Sequence, residues 1–184
     1  MNIFYLDHDV KKCAEMHNDK HCIKMILEYA QLLSTAHRVL DGVLTVDRGG
    51  AAGRQRTTYI LPDCRDDMLY RATHINHPSA IWVRQSDKNY DWLFSMFQAL
   101  MDEYTYRYGK THACARLEMY LAVVPKNIPR GAWTEPTPAM PDEVKVRGNS
   151  LLSYQNYYIM NKQHLASWSG KINSRPIPNW FITV

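Results

Sequence analysis

Residues 87–109 run DKNYDWLFSMFQALMDEYTYRYG, and their spacing decides the fold class. Leu93, Phe97, Leu100, Met101, Tyr104 and Tyr108 recur at three- and four-residue intervals, which stacks them on one face of an α-helix. Gly109 follows the last of them, where a left-handed residue closes a helix at no steric cost. The stripe is broad and apolar, so it reads as core. Working outward in both directions, the same period returns and strand signals are few, which predicts an all-α, compact single domain.

Upstream, Pro78 in His77-Pro78 sits where a first helical residue needs no amide donor and starts a short helix. A helix over about 66–73 precedes it. Residues 43–63 carry no clear period and read as loop with at most a short extended piece. Before them, one helix is predicted over about 10–40, capped by Asp9 and ended by Asp41-Gly42, with Gly42 in the left-handed region. On its wheel Met16, Ile23, Ile26, Leu27, Ala30 and Leu33 gather on one side. His17, His21, Lys24 and Glu28 fall on the other. Residues 2–6 form a short strand or extended arm. Downstream, Thr111 caps a helix through about Val123, and residues 125–142 hold five of the nine prolines. That segment breaks helices and wraps the surface, with Trp133 as an anchor. A last helix spans about 149–168, and the apolar tail around Arg175-Pro176-Ile177-Pro178-Asn179-Trp180-Phe181 docks back.

Composition bounds the function. The 184 residues are 46% hydrophobic and 22% charged, as in an ordinary globular chain. No stretch approaches the ~18–20 uncharged apolar residues of a membrane span. The N-terminus lacks the basic start of a signal peptide, so a cytoplasmic protein is expected. Cys13, Cys22, Cys64 and Cys114 form no CxxC pair and read as plain thiols. The chain holds neither a P-loop nor a GxSxG elbow, and nothing in it calls for a cofactor. Net charge is only +4, yet Arg48, Arg54 and Arg56 cluster in a Gly-rich stretch, with Arg65, Arg71 and Arg84 after it. Guanidinium groups on a loop suit phosphate contacts, or form a solvated surface.

Two segments carry candidate chemistry. In the first, His17, Lys20, His21, Lys24 and Glu28 share a polar ridge. Histidines at i, i+4 can share a metal, and a lysine beside a carboxylate can serve as nucleophile or base. The plain alternative is a surface stripe with a Lys24–Glu28 ion pair. In the second segment, Arg71, His74, Asn76, His77, Trp82 and Arg84 surround a loop-to-helix corner that suits an anion, with Trp82 placed to stack on a base. There the alternative is a capping His77 and a core Trp82. Tyr154, Tyr157 and Tyr158, with Gln155, Asn156, Asn161 and His164, line a base pocket or simply pack; packing is preferred.

Two stretches, Cys13 to His21 and Asn76-His77-Pro78 through Arg107-Tyr108-Gly109 with His112, resemble the pyrimidine-dimer DNA glycosylases of the phage endonuclease V type. The chain also looks like uncharacterised proteins of tailed phages, which fits work on DNA in a host cell. The resemblance covers roughly the first 115 residues. It implies a compact all-helical fold, double-stranded DNA as partner, and a reactive N-terminal α-amine, exposed by loss of the initiator Met. That amine attacks the sugar C1′ and forms a Schiff base, assisted by a helix-borne glutamate. Here Asn2 is not small, so Met1 is expected to be retained. The position nearest that glutamate holds Ile23 or Lys24, with Glu28 one turn later. Lys20 or Lys24 is then the alternative amine.

The leading expectation is a glycosylase/AP-lyase, with the 48–56 loop on phosphates, His17, His21, Lys24 and Glu28 facing the sugar, and His74, His77 and Arg84 closing the other wall. Its rivals are a metal-dependent phosphoester hydrolase using His17, His21, His74 or His77 with Asp9 or Asp19, and a non-enzymatic module that binds nucleic acid or a host protein.

Overall fold

In the computed structural model the described residues are 1–47 and 56–181. They form a mainly helical body with one small hairpin. An extended arm, residues 1–8, leads into α1 (Val10–Met16), and the Asp9 carboxylate caps it by accepting from the Lys12 amide. The single long helix predicted from 10 to 40 is two helices. The chain turns extended at His17 and Asn18, and the Asn18 side chain caps α2 (Asp19–Asp41) by accepting from the His21 amide. An asparagine that offers this bond competes with helix continuation, which explains the break. Gly42 ends α2 with φ −85°, not in the left-handed region; a Cβ there would meet the Arg38 carbonyl.

Residues 43–60, read from sequence mostly as loop, contain an antiparallel hairpin, β1 (Val43–Asp47) with β2 (Arg56–Ile60), in the register Val43↔Ile60 to Asp47↔Arg56. Val43, Val46, Thr57, Thr58 and Tyr59 are residues that suit a pleated surface. The helix expected over 66–73 is only α3 (Arg65–Met68). The chain leaves it extended because buried Arg38 donates to the carbonyls of Tyr59, Asp66, Leu69 and Tyr70 and to the Asp66 carboxylate. One guanidinium thereby ties the hairpin and the 61–70 loop to α2.

The short helix α4 (Pro78–Val83) leads to α5 (Asp87–Tyr108), capped by Ser86 and closed by Gly109 at φ 64° as expected. Met25, Tyr29, Leu33 and Ala36 of α2 and Leu93, Phe97 and Leu100 of α5 are fully buried where the two helices pack. Next come a 3₁₀ turn over 113–117, capped by His112 rather than Thr111, and α6 (Glu118–Leu121). The Pro-rich run holds no helix before a 3₁₀ turn at 142–144. It is anchored chiefly through Thr134, whose main chain and hydroxyl meet Asn89 and Trp82. The last long helix, α7 (Ser150–Asn161), ends well short of 168.

The tail docks on the α1–α2 break. Trp168 Nε1 donates to the Met16 carbonyl, and the Asp19 amide donates to the Ser167 carbonyl. Asp19 also accepts from Ser169 and Gly170, and from fully buried Arg107, which is held by Glu103 as well. No described helix is long and apolar enough to cross a membrane.

Candidate active site

The arm fixes the site. Ile3, Phe4, Tyr5 and Leu6 are all buried, on both faces at once, so the arm is covered from two sides. From α2, the Tyr29 hydroxyl accepts from the Phe4 amide at 3.3 Å. From α7, Gln155 donates to the Leu6 carbonyl. The first residues are thereby led across the middle of α2. There Glu28 Oε2 stands 3.9 Å from the Met1 ammonium nitrogen and accepts from the Asn2 amide at 3.3 Å. The other oxygen, Oε1, lies 3.2 Å from Lys24 Nζ. One half-buried carboxylate thus faces two amines.

The His-Pro corner approaches the same carboxylate. His77 Nδ1 caps α4, accepting from the Ser79 amide. Its pKa is lowered by burial, by the N-terminal ammonium and by His74, while Glu28 pulls it the other way. His74 stands beside it with φ 48°, a left-handed conformation that costs a non-glycine residue energy. The His77 amide donates to the His74 carbonyl across this tight turn. An amine beside a carboxylate, with the His77 imidazole within electrostatic reach of both, can take up and deliver protons around an electrophilic carbon.

Several expected participants stand elsewhere. The wheel of α2 is turned from the expected phase: Ile23 and Leu27 are 42% and 38% exposed, while His17 and His21 are buried. His17 donates from Nδ1 to the Cys13 carbonyl and accepts at Nε2 from Tyr29, and burial lowers its pKa to about 4. His21 stacks on Phe4 with ring centroids 4.2 Å apart, meets the Tyr158 hydroxyl at 2.6 Å, and is lowered by burial to about 3. Both imidazoles are buried and hydrogen-bonded within the core. Their polar atoms find partners in Cys13, Tyr29 and Tyr158, which hydrophobicity alone does not foresee.

Trp82 is buried under the Pro-rich segment, donating to Thr134, and is not free to stack on a base. Arg84 is half-buried and donates to the Ala80 carbonyl. Lys20 is exposed on α2. Arg71 is exposed and lines a groove of about 610 Å³ between the hairpin and residues 66–72; Glu28 is not among its walls. Arg48, Arg54 and the side chain of Arg56 lie outside the described residues. Tyr154 and Tyr158 are buried packing residues with bonded hydroxyls.

Of the residues that the hydrolase reading named, Asp9 caps a helix and Asp19 holds the tail. Among the described residues no three His, Cys, Asp or Glu side chains converge as metal ligands. Sequence reading used Asn2 only to expect retention of Met1, and named Ile23 or Lys24 at the position nearest the family's glutamate with Glu28 one turn later; in the structure Glu28 stands beside the N-terminus. The four consecutive buried residues of the arm were the available signal that the N-terminus enters the interior.

A model of the pyrimidine dimer DNA glycosylase family matches residues 1–116. No curated protein and no solved structure matches the chain.

Proposed function

The chain belongs to the pyrimidine dimer DNA glycosylase family, and from that premise we propose that it is a DNA glycosylase with AP-lyase activity on duplex DNA, using an amine held against Glu28. The observation that carries this reading is the 3.9 Å approach of the Met1 amine to the Glu28 carboxylate. An amine becomes a usable nucleophile once an adjacent base takes its proton, and Glu28 is placed to do so.

The step balances with these groups. Glu28 accepts the proton of the ammonium, and the amine nitrogen donates its lone pair to C1′ of the sugar. The glycosidic bond breaks, and the base leaves with the electron pair of that bond and takes up the proton held on Glu28. Glu28 then accepts a second proton from the nitrogen now bonded to C1′ and passes it to the ring oxygen O4′, the ring opens, and a protonated Schiff base remains on C1′. Loss of a C2′ proton then expels the 3′ phosphate. Access to C1′ requires local distortion of the duplex.

His74 and His77 form the facing wall, and exposed Lys20, Lys24 and Arg71 offer charge to the DNA backbone. Lys24, 3.2 Å from the same carboxylate, is the second candidate amine. The test is borohydride trapping on a duplex carrying an abasic site. A covalent adduct that requires Glu28 supports the reading; no adduct at any enzyme concentration ends it.

A further inference from the structure

We infer that Tyr154 is a positioning residue for the proposed nucleophile and acts through Asn2, so that the part of the chain beyond residue 116 completes the site. The inference rests on the amine-and-Glu28 reading above. Asn2 is gripped at both ends of its carboxamide. Its Oδ1 accepts from the Tyr154 hydroxyl at 2.8 Å and from the Ile3 amide at 3.1 Å. Its Nδ2 donates to the Ala139 carbonyl at 2.8 Å. Its main-chain amide donates to Glu28. A chain terminus ordinarily frays unless it is tied down. Here residue 2 is held by its side chain from one direction and by its backbone from the other, leaving only the torsions of Met1 between the clamp and the amine.

The clamp has a stiff support. Tyr154 is fully buried in α7, and its hydroxyl also lies 3.0 Å from the Thr137 carbonyl. Thr137 and Ala139 alternate with Pro136, Pro138 and, two residues on, Pro141, whose rings fix φ and leave carbonyls as the available partners. Ser150, at the start of α7, donates to the Pro136 carbonyl and fastens this run to the same helix. The Pro-rich segment and α7 thus present an acceptor, a donor and a fixed frame to one carboxamide. Reaction of an amine at C1′ depends on orientation, and small misplacements of a reacting group lower rates steeply.

Single-turnover borohydride trapping on abasic duplex, beside binding of a duplex with a non-reactive tetrahydrofuran abasic analogue, separates positioning from packing. Tyr154→Phe removes one oxygen and keeps the ring. We expect its trapping rate to fall roughly 10- to 100-fold with affinity for the analogue unchanged. Asn2→Leu should produce the same defect, and the double variant should be no slower than the slower single one, because both cut the same link. Tyr158→Phe, an equally buried hydroxyl in the same helix that touches His21 instead, should lose stability but trap at the wild-type rate. A wild-type trapping rate in Tyr154→Phe, multiplying effects in the double variant, or an equal slowing in Tyr158→Phe overturns the inference while the reading of Glu28 stands. Absence of an adduct with the wild-type chain takes both.

Discussion

Asn2 and Glu28, twenty-six positions apart, are joined by a hydrogen bond of 3.3 Å from the Asn2 main-chain amide to Oε2. That bond sets the N-terminal peptide against the middle of α2 and leaves the carboxylate able to exchange protons with the amine beside it. Glu28→Gln keeps the size of the side chain and an acceptor for Asn2 but removes the base. Trapping and base release should fall on the order of 10²–10⁴-fold, the usual contribution of a positioned general acid–base. Binding of an abasic analogue should be nearly unchanged. A variant that reacts at the wild-type rate sinks the assignment of Glu28.

Two amines share Glu28, and peptide mapping of the reduced adduct tells them apart. The α-amine is expected to carry the sugar, because Lys24 is 70% exposed and holds Glu28 only as an i, i+4 surface pair. Lys24→Met should therefore still trap, within a few-fold of wild type, and the modified peptide should be the N-terminal one with Met1 intact. An adduct on the Lys24 peptide, lost in Lys24→Met, would transfer the nucleophile to the helix.

The helices that rest on repeated apolar spacing were legible from sequence. Asp87–Tyr108, with Gly109 after it, could be read to the residue, as could the start of α4 at Pro78. The α1–α2 break was not legible, because Asn18 acts through one side-chain hydrogen bond in a stretch that otherwise reads as helix. Missing it rotated the wheel. Ile23 and Leu27 were assigned inward and His17 and His21 outward, the reverse of what the structure shows. The clamp on Asn2 is made by residues near 139 and 154, and no local pattern in a single sequence reports such long-range pairing. Arg38 misled in the same manner, since its bonds to loop carbonyls decide where α3 stops.

Acid should destabilise the fold well before the carboxylates titrate. Burial holds His17 at about 4 and His21 at about 3, against about 6.5 for a free imidazole. Between those limits the unfolded chain binds protons that the folded chain refuses. The stability is present in full above about pH 6.5 and is lost as pH falls toward the folded values. His17 alone accounts for roughly 3 kcal/mol by pH 4. Urea midpoints should drop steadily from pH 7.5 to pH 5, and His17→Gln, though weaker at neutral pH, should show a shallower decline. A flat profile across that range contradicts neutral buried imidazoles.

Arg107 joins the family-like part of the chain to the tail. Its guanidinium is fully buried, donating to Glu103 at 2.6 Å, to Asp19 at 3.0 Å and to the Glu15 carbonyl. Its own carbonyl accepts from Lys171 and Ile172. Arg107→Ala strands Glu103 in the interior with Arg175 as its remaining cation and should cost about 3–5 kcal/mol. Arg175→Ala, at a partly exposed site, should cost clearly less. Thermal unfolding of the two variants checks the order, and limited proteolysis should cut Arg107→Ala first within the tail. Equal melting temperatures would mean that the buried charge network does not hold the tail.

Lys162 caps the end of α7 with its ammonium 4.7 Å above the Tyr157 ring. Together with Lys24 and His164 it lies near enough to His21 to depress that imidazole. Cations of α2 and of the end of α7 thus both act on His21, which stacks on Phe4 of the arm. If DNA bound as proposed above reaches the end of α7, Lys162 is a phosphate contact, and each such contact releases condensed counterions. Lys162→Ala should weaken binding to every duplex alike and reduce the slope of log K against log salt by about 1. Lys88, paired with Asp91 on the exposed side of α5, serves as the control and should leave the slope unchanged when replaced by alanine. If Lys162→Ala matches wild type at all salt concentrations, the DNA passes the arm on the α2 side only, and the backbone contacts must be sought at Lys20, Lys24 and Arg71.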